Sequence, residues 1–218
     1  MPEQINEIEA RVLGSLIEKQ LTTPEYYPQT LNALVNACNQ KNNREPVVAY
    51  TETIVTKALD DLRDRNLVYV FYGSTSRVPK YKHMVPSVYE LEPSETAVMD
   101  VMLLRGPQTL GELRTRTERL YDFANLGEIQ ETLDGLMRRD DPLVVKLPVQ
   151  PGQKEARFAH LLSGAIDVEA LAAAHASRPS RGAAENERME KLEEEIASLR
   201  SEVATLKETF EHFRKQFD

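Results

Sequence analysis

The sequence predicts an α+β, mostly helical protein in which two similar domains are followed by a C-terminal coiled-coil helix. Three helical segments and then two short apolar segments occur in the same order twice along the 218 residues. Both copies contain the motif Pro-Gln-Thr-Leu, and the last segment repeats apolar residues every three or four positions. We therefore expect one domain at residues 1–90, a second at 91–165, an Ala-rich helix and linker at 166–184, and the coiled coil at 185–218.

Apolar residues at helical spacing predict three helices in the first domain. The first covers residues 5–20 and ends before Pro24, and the second follows Pro28. A polar loop at 39–46 separates it from a third helix at 51–65. The residues expected on one side of this third helix are Ile54, Val55, Ala58, Leu59 and Leu62.

Two strands are expected after the third helix. Residues 67–72 are β-branched and aromatic, 73–76 have the composition of a turn, and 78–85 return as a second strand. Three helices and a β-hairpin in this order are the elements of a winged helix, a helix-turn-helix domain whose hairpin is called the wing. The sequence therefore predicts a winged helix at 1–90.

The second domain repeats this order. Pro28-Gln29-Thr30-Leu31-x-x-Leu34 matches Pro107-Gln108-Thr109-Leu110-x-x-Leu113. The apolar positions of the third helix match at one constant offset, with Val55, Leu59 and Leu62 corresponding to Ile129, Leu133 and Leu136. In the second copy, Thr109 and Glu112 have the spacing of a capping box, which predicts where its second helix begins. We therefore expect two winged helices in tandem.

The tail has the heptad pattern of a coiled coil that joins two copies of the chain. Its apolar spacing alternates between three and four residues across four heptads, which is typical of a left-handed coiled coil. The residues predicted to form this dimer interface are Met189, Leu192, Ile196, Leu199, Val203, Leu206, Phe210, Phe213 and Phe217. The alternative is an amphipathic helix that folds back on its own domain, but an apolar stripe of two positions per heptad is narrow for such a helix.

Charges beside the heptads favour a parallel homodimer. In a parallel pair the facing residues would be Arg188 with Glu193, Glu195 with Arg200, and Glu202 with Lys207, all of opposite sign. Exposed pairs contribute only tenths of a kcal/mol each, so they indicate orientation rather than stability. The three phenylalanines at the end are bulky for a two-stranded coil, which leaves a higher oligomer open.

Composition indicates a globular protein of the cytoplasm. The chain is 41% hydrophobic and 28% charged. It has no apolar run long enough to cross a membrane, and its acidic first residues do not resemble a secretory signal. Cys38 is the single cysteine, which excludes an internal disulfide and fits a reducing compartment. We expect a cytoplasmic protein without membrane contact.

Motifs for catalysis, cofactor binding or metal binding are not found in the sequence. Gly106 and Gly111 have the outer spacing of a phosphate loop, but Glu112 and Leu113 follow where Lys and Ser or Thr are required. The four histidines, at 83, 160, 175 and 212, have no zinc-ligand spacing. Cys38 shares a helix face with apolar residues, as a core thiol does. We therefore expect no enzyme activity, no cofactor and no metal.

Basic and amide side chains cluster around the predicted winged-helix elements. Amide side chains in the loop before the third helix could bond adenine edges, and its Lys and Arg suit phosphates. The predicted wing is basic, as is the stretch after the second helix of the second domain. The candidate DNA contacts are Lys41, Asn42, Asn43, Arg44, Lys57, Arg63, Arg77, Lys80, Lys82, Arg114, Arg116 and Arg119.

Charge leaves two functions open. The net charge of −8 is unfavourable for a DNA-binding protein, although −4 of it lies in residues 164–218. The leading interpretation is a protein that binds double-stranded DNA and regulates transcription. The alternative is an adaptor that uses the winged-helix scaffold to bind an unidentified protein without contacting DNA, since a fold does not fix a function.

Several long motifs resemble the YceH family of bacterial proteins. They are Leu13-Gly14-Ser15-Leu16-Ile17-Glu18-Lys19-Gln20, Thr22-Thr23-Pro24-Glu25-Tyr26-Tyr27-Pro28, Leu31 to Lys41, Asn43-Arg44-Glu45-Pro46 and Leu103 to Arg114. The resemblance covers about residues 5–165 and implies tandem winged helices. It implies no activity, because the family is one of unknown function without assigned catalytic or ligand residues. The tail lies outside the resemblance, so the dimer prediction depends on the heptads alone.

Overall fold

A computed structural model describes residues 4–72, 78–149 and 153–166. The protein is α+β, and these residues contain seven α-helices and five short strands in two antiparallel sheets. Both predicted domains lie within one compact unit that ends at Ile166. The linker from residue 167 onward and the coiled-coil tail lie outside the described residues, so the prediction of a tail-mediated dimer stays a prediction.

The first half has the order helix, strand, helix, helix, strand, strand. Its elements are α1 Glu7–Thr22, a 3-10 turn Pro24–Tyr26, β1 Gln29–Thr30, α2 Leu31–Cys38, α3 Glu52–Asp64, β2 Val68–Tyr72 and β3 Pro79–His83. The strands form one antiparallel sheet in the order β1-β3-β2. The short strand β1 was not predicted, because two residues are too few to give an alternating pattern.

After one connecting turn, the second half repeats this order with an isolated bridge in place of the first strand. Its elements are α4 Val85–Val88, α5 Pro93–Arg105, α6 Leu110–Thr117, α7 Leu126–Met137, β4 Val144–Lys146 and β5 Phe158–His160. Strands β4 and β5 pair antiparallel, and an isolated bridge joins Gln108 to Phe158 at the position that β1 has in the first half. The single turn α4 connects the two halves and was not predicted.

Polar residues fix where the second helix of each half begins. Thr30 accepts a hydrogen bond from the N–H of Ala33, and Thr109 accepts one from the N–H of Glu112. The carboxylate of Glu112 accepts the Thr109 N–H at 2.9 Å, which completes the predicted capping box. The Pro-Gln-Thr-Leu repeat therefore encodes a helix start in both halves.

The two halves share one hydrophobic core. Helix α1 is buried along most of its length, as expected for a helix at the centre of a fold. It packs closely on α5, because Gly14 leaves room for Leu103 and Leu104. The predicted equivalence of α3 and α7 is confirmed at the level of burial, since Val55, Leu59 and Leu62 are buried like Ile129, Leu133 and Leu136. Ile54 was expected on the same side, but it is 37% exposed.

Candidate functional site

The loop between α2 and α3 is held by side chains at both ends. Asn39 donates a hydrogen bond to the carbonyl of Tyr50 at 2.8 Å and accepts one from the Tyr50 N–H at 2.7 Å. Arg11, which is buried in α1, donates to the carbonyls of Cys38 and Pro46 at 3.1 and 2.7 Å. The predicted contact loop therefore has a defined conformation next to the start of α3.

The sequence predicts Arg44 to be a DNA contact, but its side chain is buried, so this prediction is corrected. The buried guanidinium donates two hydrogen bonds to the carboxylate of Glu18, at 2.6 and 3.0 Å. Its other N–H groups donate to the carbonyls of Ala37 and Asn43 and to the side chain of Gln40. These contacts use all five guanidinium donors, so none is left for a phosphate.

Arg44 stabilises the ionised form of Glu18. Burial alone would raise the pKa of Glu18, but the hydrogen bonds and the positive charge of Arg44 outweigh burial and lower that pKa. Lys19 also lies 3.2 Å from the same carboxylate. The pair Glu18–Arg44 therefore anchors the loop to α1 as an ion pair.

The remaining loop candidates lie at the surface. Lys41, Asn42 and Asn43 are all exposed. Asn43 has a φ of 59°, a left-handed conformation that asparagine tolerates better than most residues, and its side-chain oxygen accepts a hydrogen bond from Arg105. Lys41 and Asn42 are therefore the loop side chains best placed for an external ligand.

Helix α3 buries one side and exposes a polar one. Lys57 and Thr53 are exposed on it. Arg63 is also exposed but lies 3.2 Å from the carboxylate of Asp60. An exposed pair of this kind is weak, so Arg63 can exchange Asp60 for a phosphate at little cost. The exposed side therefore carries both signs of charge.

The predicted wing places its two lysines on a single face of the hairpin. In the β2–β3 register, Tyr69 is opposite Lys82 and Phe71 is opposite Lys80. Residues directly opposite each other on paired strands share a face of the sheet. Tyr69 and Phe71 were not proposed as functional residues, although the alternation of β2 could have shown that they lie together. Arg77 lies outside the described residues.

In the second half, the structure separates the three arginines. Arg114 and Arg119 are exposed. Arg116 is half-buried, lies 3.4 Å from Glu112 and donates a hydrogen bond to the side chain of Gln108. Because Glu112 and Gln108 define the start of α6, Arg116 stabilises that start. Arg114 and Arg119 remain candidates for contact with a ligand.

Two buried titratable groups and one half-buried histidine were not singled out by the sequence. His83 and His160 end the equivalent strands β3 and β5, and burial lowers the pKa of each to about 4. Asp100 lies buried in α5, and one of its carboxyl oxygens has no hydrogen-bond partner among the described residues. Burial, together with the negative charge of Glu18, raises the pKa of Asp100 well above its usual value. Burial therefore disfavours the charged form of all three groups.

In the described part of the chain the metal-ligating side chains do not converge, and the cysteine is buried. No group of three or more His, Cys, Asp or Glu within them is placed to hold a metal ion. Cys38 is buried, and burial raises the pKa of its thiol, which lowers its reactivity. In the same part of the chain, no helix has the length and apolar character needed to cross a membrane.

Comparison with known proteins finds relatives over the whole length. A family model described as "Protein of unknown function, DUF480" matches residues 5–153. A UPF0502 protein of Geobacter sulfurreducens is 50% identical over 219 residues, which cover 98% of each chain. A UPF0502 protein of Geotalea uraniireducens is 50% identical over 223 residues and covers 100% of each chain. One from Vibrio atlanticus is 48% identical over 208 residues, 93% of this chain and 95% of its own.

Proposed function

The chain belongs to the DUF480 family of proteins of unknown function, and we propose that it binds double-stranded DNA through two winged helices and regulates transcription. The repeated element order supports this proposal. In each half a helix is followed by a short strand or bridge, two helices and a β-hairpin. In the first half β3 is the central strand and pairs with both β2 and β1. The hairpin is therefore hydrogen-bonded to the strand that precedes α2. This is the order of a helix-turn-helix with a wing.

The proposed duplex contacts of the first half are the exposed cations next to α3. Lys41 and Asn42 precede the helix, and Lys57 lies on its exposed side. Lysines neutralise phosphates, and amide side chains can bond base edges in the major groove. Arg63 can join them after leaving Asp60. Arg77, Lys80 and Lys82 of the predicted wing complete the proposed set.

The second half would contribute Arg114 and Arg119. Both are exposed, and Arg114 lies in the last turn of α6, the second helix of its half. Two weak sites on one chain bind more tightly than either alone, because the second contact forms at a high local concentration. We propose that the tail doubles this effect by pairing two chains through the heptads at 189–217.

A protein-binding adaptor is the second candidate, and exposed apolar residues favour it. Ile54 in the first turn of α3 is 37% exposed, and Leu126 in the first turn of α7 is 43% exposed. Asp60 and Asp64 lower the charge of the surface around α3, and the whole chain has a net charge of −8. An apolar residue in an acidic setting suits a basic protein partner better than a phosphate backbone.

A salt series separates the two functions. Binding of a labelled duplex of mixed sequence, followed by fluorescence anisotropy, should weaken steeply as salt increases. The variant Lys57→Ala should weaken binding to all sequences alike and reduce the slope against log salt by about 1. Lys191→Ala removes a lysine at an outer heptad position of the predicted coiled coil, which is not among the proposed duplex contacts, and should leave the slope unchanged. A wild-type protein that binds no duplex at low salt contradicts the DNA proposal and leaves the adaptor.

A further inference from the structure

The hairpin has an outer face on which aromatic and basic side chains alternate. Val68 and His83 are opposite each other, and both are buried, so their face of the sheet is the one that packs on the core. The next pair along the strands, Tyr69 and Lys82, therefore lies on the outer face. Phe71 and Lys80 follow two residues further on, on the same face. We call Tyr69, Phe71, Lys80 and Lys82 the aromatic–lysine face.

The two aromatic side chains of this face are strongly exposed. Tyr69 is 61% and Phe71 is 46% exposed. Exposed apolar residues are ordinary when they are scattered, but aromatic residues side by side on a strand indicate an interaction site. Each aromatic residue is opposite a lysine, so the face contains no acidic group of its own.

We infer that the aromatic–lysine face binds single-stranded nucleic acid, with Tyr69 and Phe71 stacking on two unpaired bases and Lys80 and Lys82 contacting the backbone phosphates. The inference rests on the proposed function, because it adds a second mode of binding to a DNA-binding protein. Aromatic side chains beside a positively charged track are the usual means of binding an unpaired strand.

Spacing distinguishes an unpaired strand from a duplex on this face. Side chains two residues apart on a strand are separated by roughly 7 Å. Bases within a duplex follow one another at about 3.4 Å along the axis. Two successive bases can therefore reach Tyr69 and Phe71 only if they are unstacked from each other. An extended single strand permits this separation, whereas an intact duplex does not.

The lysines favour nucleic acid over a protein partner. Aromatic residues are enriched in protein interfaces, but lysine is depleted there relative to the rest of the surface. On this face lysine accounts for two of four residues, and each lysine is opposite an aromatic residue across the strands. Stacking with neighbouring phosphate contacts uses both residue types together.

The test uses the full-length protein and two labelled DNAs, an oligothymidine strand of about 15 nucleotides, which matches the upper range of single-strand sites, and the mixed duplex. The double variant Tyr69→Ala/Phe71→Ala should bind oligothymidine at least tenfold more weakly, because stacking contributes about 1–3 kcal/mol per base. Its affinity for duplex should change less than twofold. Tyr26→Ala is the control, since it removes a tyrosine that is 71% exposed but lies in the 3-10 turn.

Four other outcomes would contradict the inference, and each has a different meaning. If wild-type protein binds duplex but not oligothymidine, the inference is wrong and the proposed function stands. If it binds neither, both are wrong. An equal loss of both affinities in the double variant would make the face a duplex contact. A change of oligomeric state in the double variant, measured by sedimentation, would show that the face binds a second copy of the chain instead. Circular dichroism checks that the variant is folded.

Discussion

His83 shows how a single buried side chain ties stability to pH. Both of its ring nitrogens are buried without a hydrogen-bond partner among the described residues. The ring packs edge-on against Tyr27, with 6.0 Å between the ring centroids. Burial, together with the positive charge of Lys82, lowers the pKa of His83 from 6.5 to about 4. The folded protein therefore keeps this imidazole neutral over a range in which the unfolded chain takes up a proton.

We predict that His83→Leu reduces the loss of stability in acid. In the wild type, lowering the pH from about 6.5 to about 4 favours the unfolded chain, which binds the proton more tightly. The cost is at most about 3.5 kcal/mol, at about 1.4 kcal/mol for each pKa unit between 6.5 and about 4. Leucine has no proton to gain, so the variant should show less of this loss in urea unfolding at a series of pH values.

Two groups serve as references for this measurement. Asp100 acts in the opposite direction, because its raised pKa stabilises the folded protein at low pH and that stability is lost as the pH increases. The difference between wild type and variant removes the contribution of Asp100. His160→Leu should reduce the acid loss by a similar amount, because burial lowers the pKa of His160 to about 4 as well. An identical pH dependence in wild type and His83→Leu would contradict the prediction.

The sequence alone could not predict which of Arg44 and Lys41 is buried in an ion pair and which is exposed. They lie in the same polar loop, and both were proposed as phosphate contacts. Only Arg44 has a buried carboxylate in reach, and its partner Glu18 is 26 residues away in the sequence. A partner at that separation is set by tertiary packing, which no local pattern contains. The sequence therefore predicted the loop correctly and the role of Arg44 wrongly.

At the scale of elements, Gly14 controls the approach of α1 to α5. A Cβ atom at this position would lie 2.8 Å from Cγ and Cδ2 of Leu104 and 3.2 Å from Cβ of Leu103. The end of Leu104 can rotate away, but the Cβ of Leu103 moves only with its helix. The absence of a side chain at Gly14 thus allows the central helix to touch the second half of the core.

We predict that Gly14→Ala destabilises the protein although alanine favours helix formation. The overpacking costs about 1–3 kcal/mol, which exceeds the gain of about 1 kcal/mol in helix propensity. Gly111→Ala in α6 is the control, because its Cβ would meet nothing within 4 Å. That variant should be as stable as wild type or more so by up to about 1 kcal/mol. Thermal unfolding at equal protein concentration compares them, and a stabilised Gly14→Ala would mean that α5 moves freely.

Most of the helices and strands could be predicted from the sequence, because the residues that define them lie within or next to each one. The starts of α2 and α6 follow from Thr30 and Thr109, whose side chains cap the backbone next to them. The strand β1 and the bridge at Gln108 could not be predicted, because each is defined by pairing with β3 or β5 far along the chain. The face of β2 that is exposed also depends on register, so Tyr69 and Phe71 were missed.

At the scale of the whole molecule, two similar halves are joined by one core. Helix α1 belongs to the first half and α5 to the second, yet they pack on each other through buried residues. The halves therefore have a fixed relation within the unit that ends at Ile166. Any two contacts that they make with DNA would be presented together, which lowers the entropic cost of the second contact.

The oligomeric state is the remaining property that the heptads predict. We expect wild-type protein to be a dimer in sedimentation velocity and Leu199→Asp to be a monomer, because the variant places a charge in the apolar seam. Ser201→Asp is a matched control, since it adds the same charge at a heptad position on the outside of the predicted coil and should remain a dimer. If the tail is what pairs the chains, Leu199→Asp should also bind the mixed duplex about 10-fold to 100-fold more weakly, because avidity is lost. A Leu199→Asp protein that remains a dimer would place the interface in residues 1–166 instead, and a monomeric wild type would contradict the coiled coil.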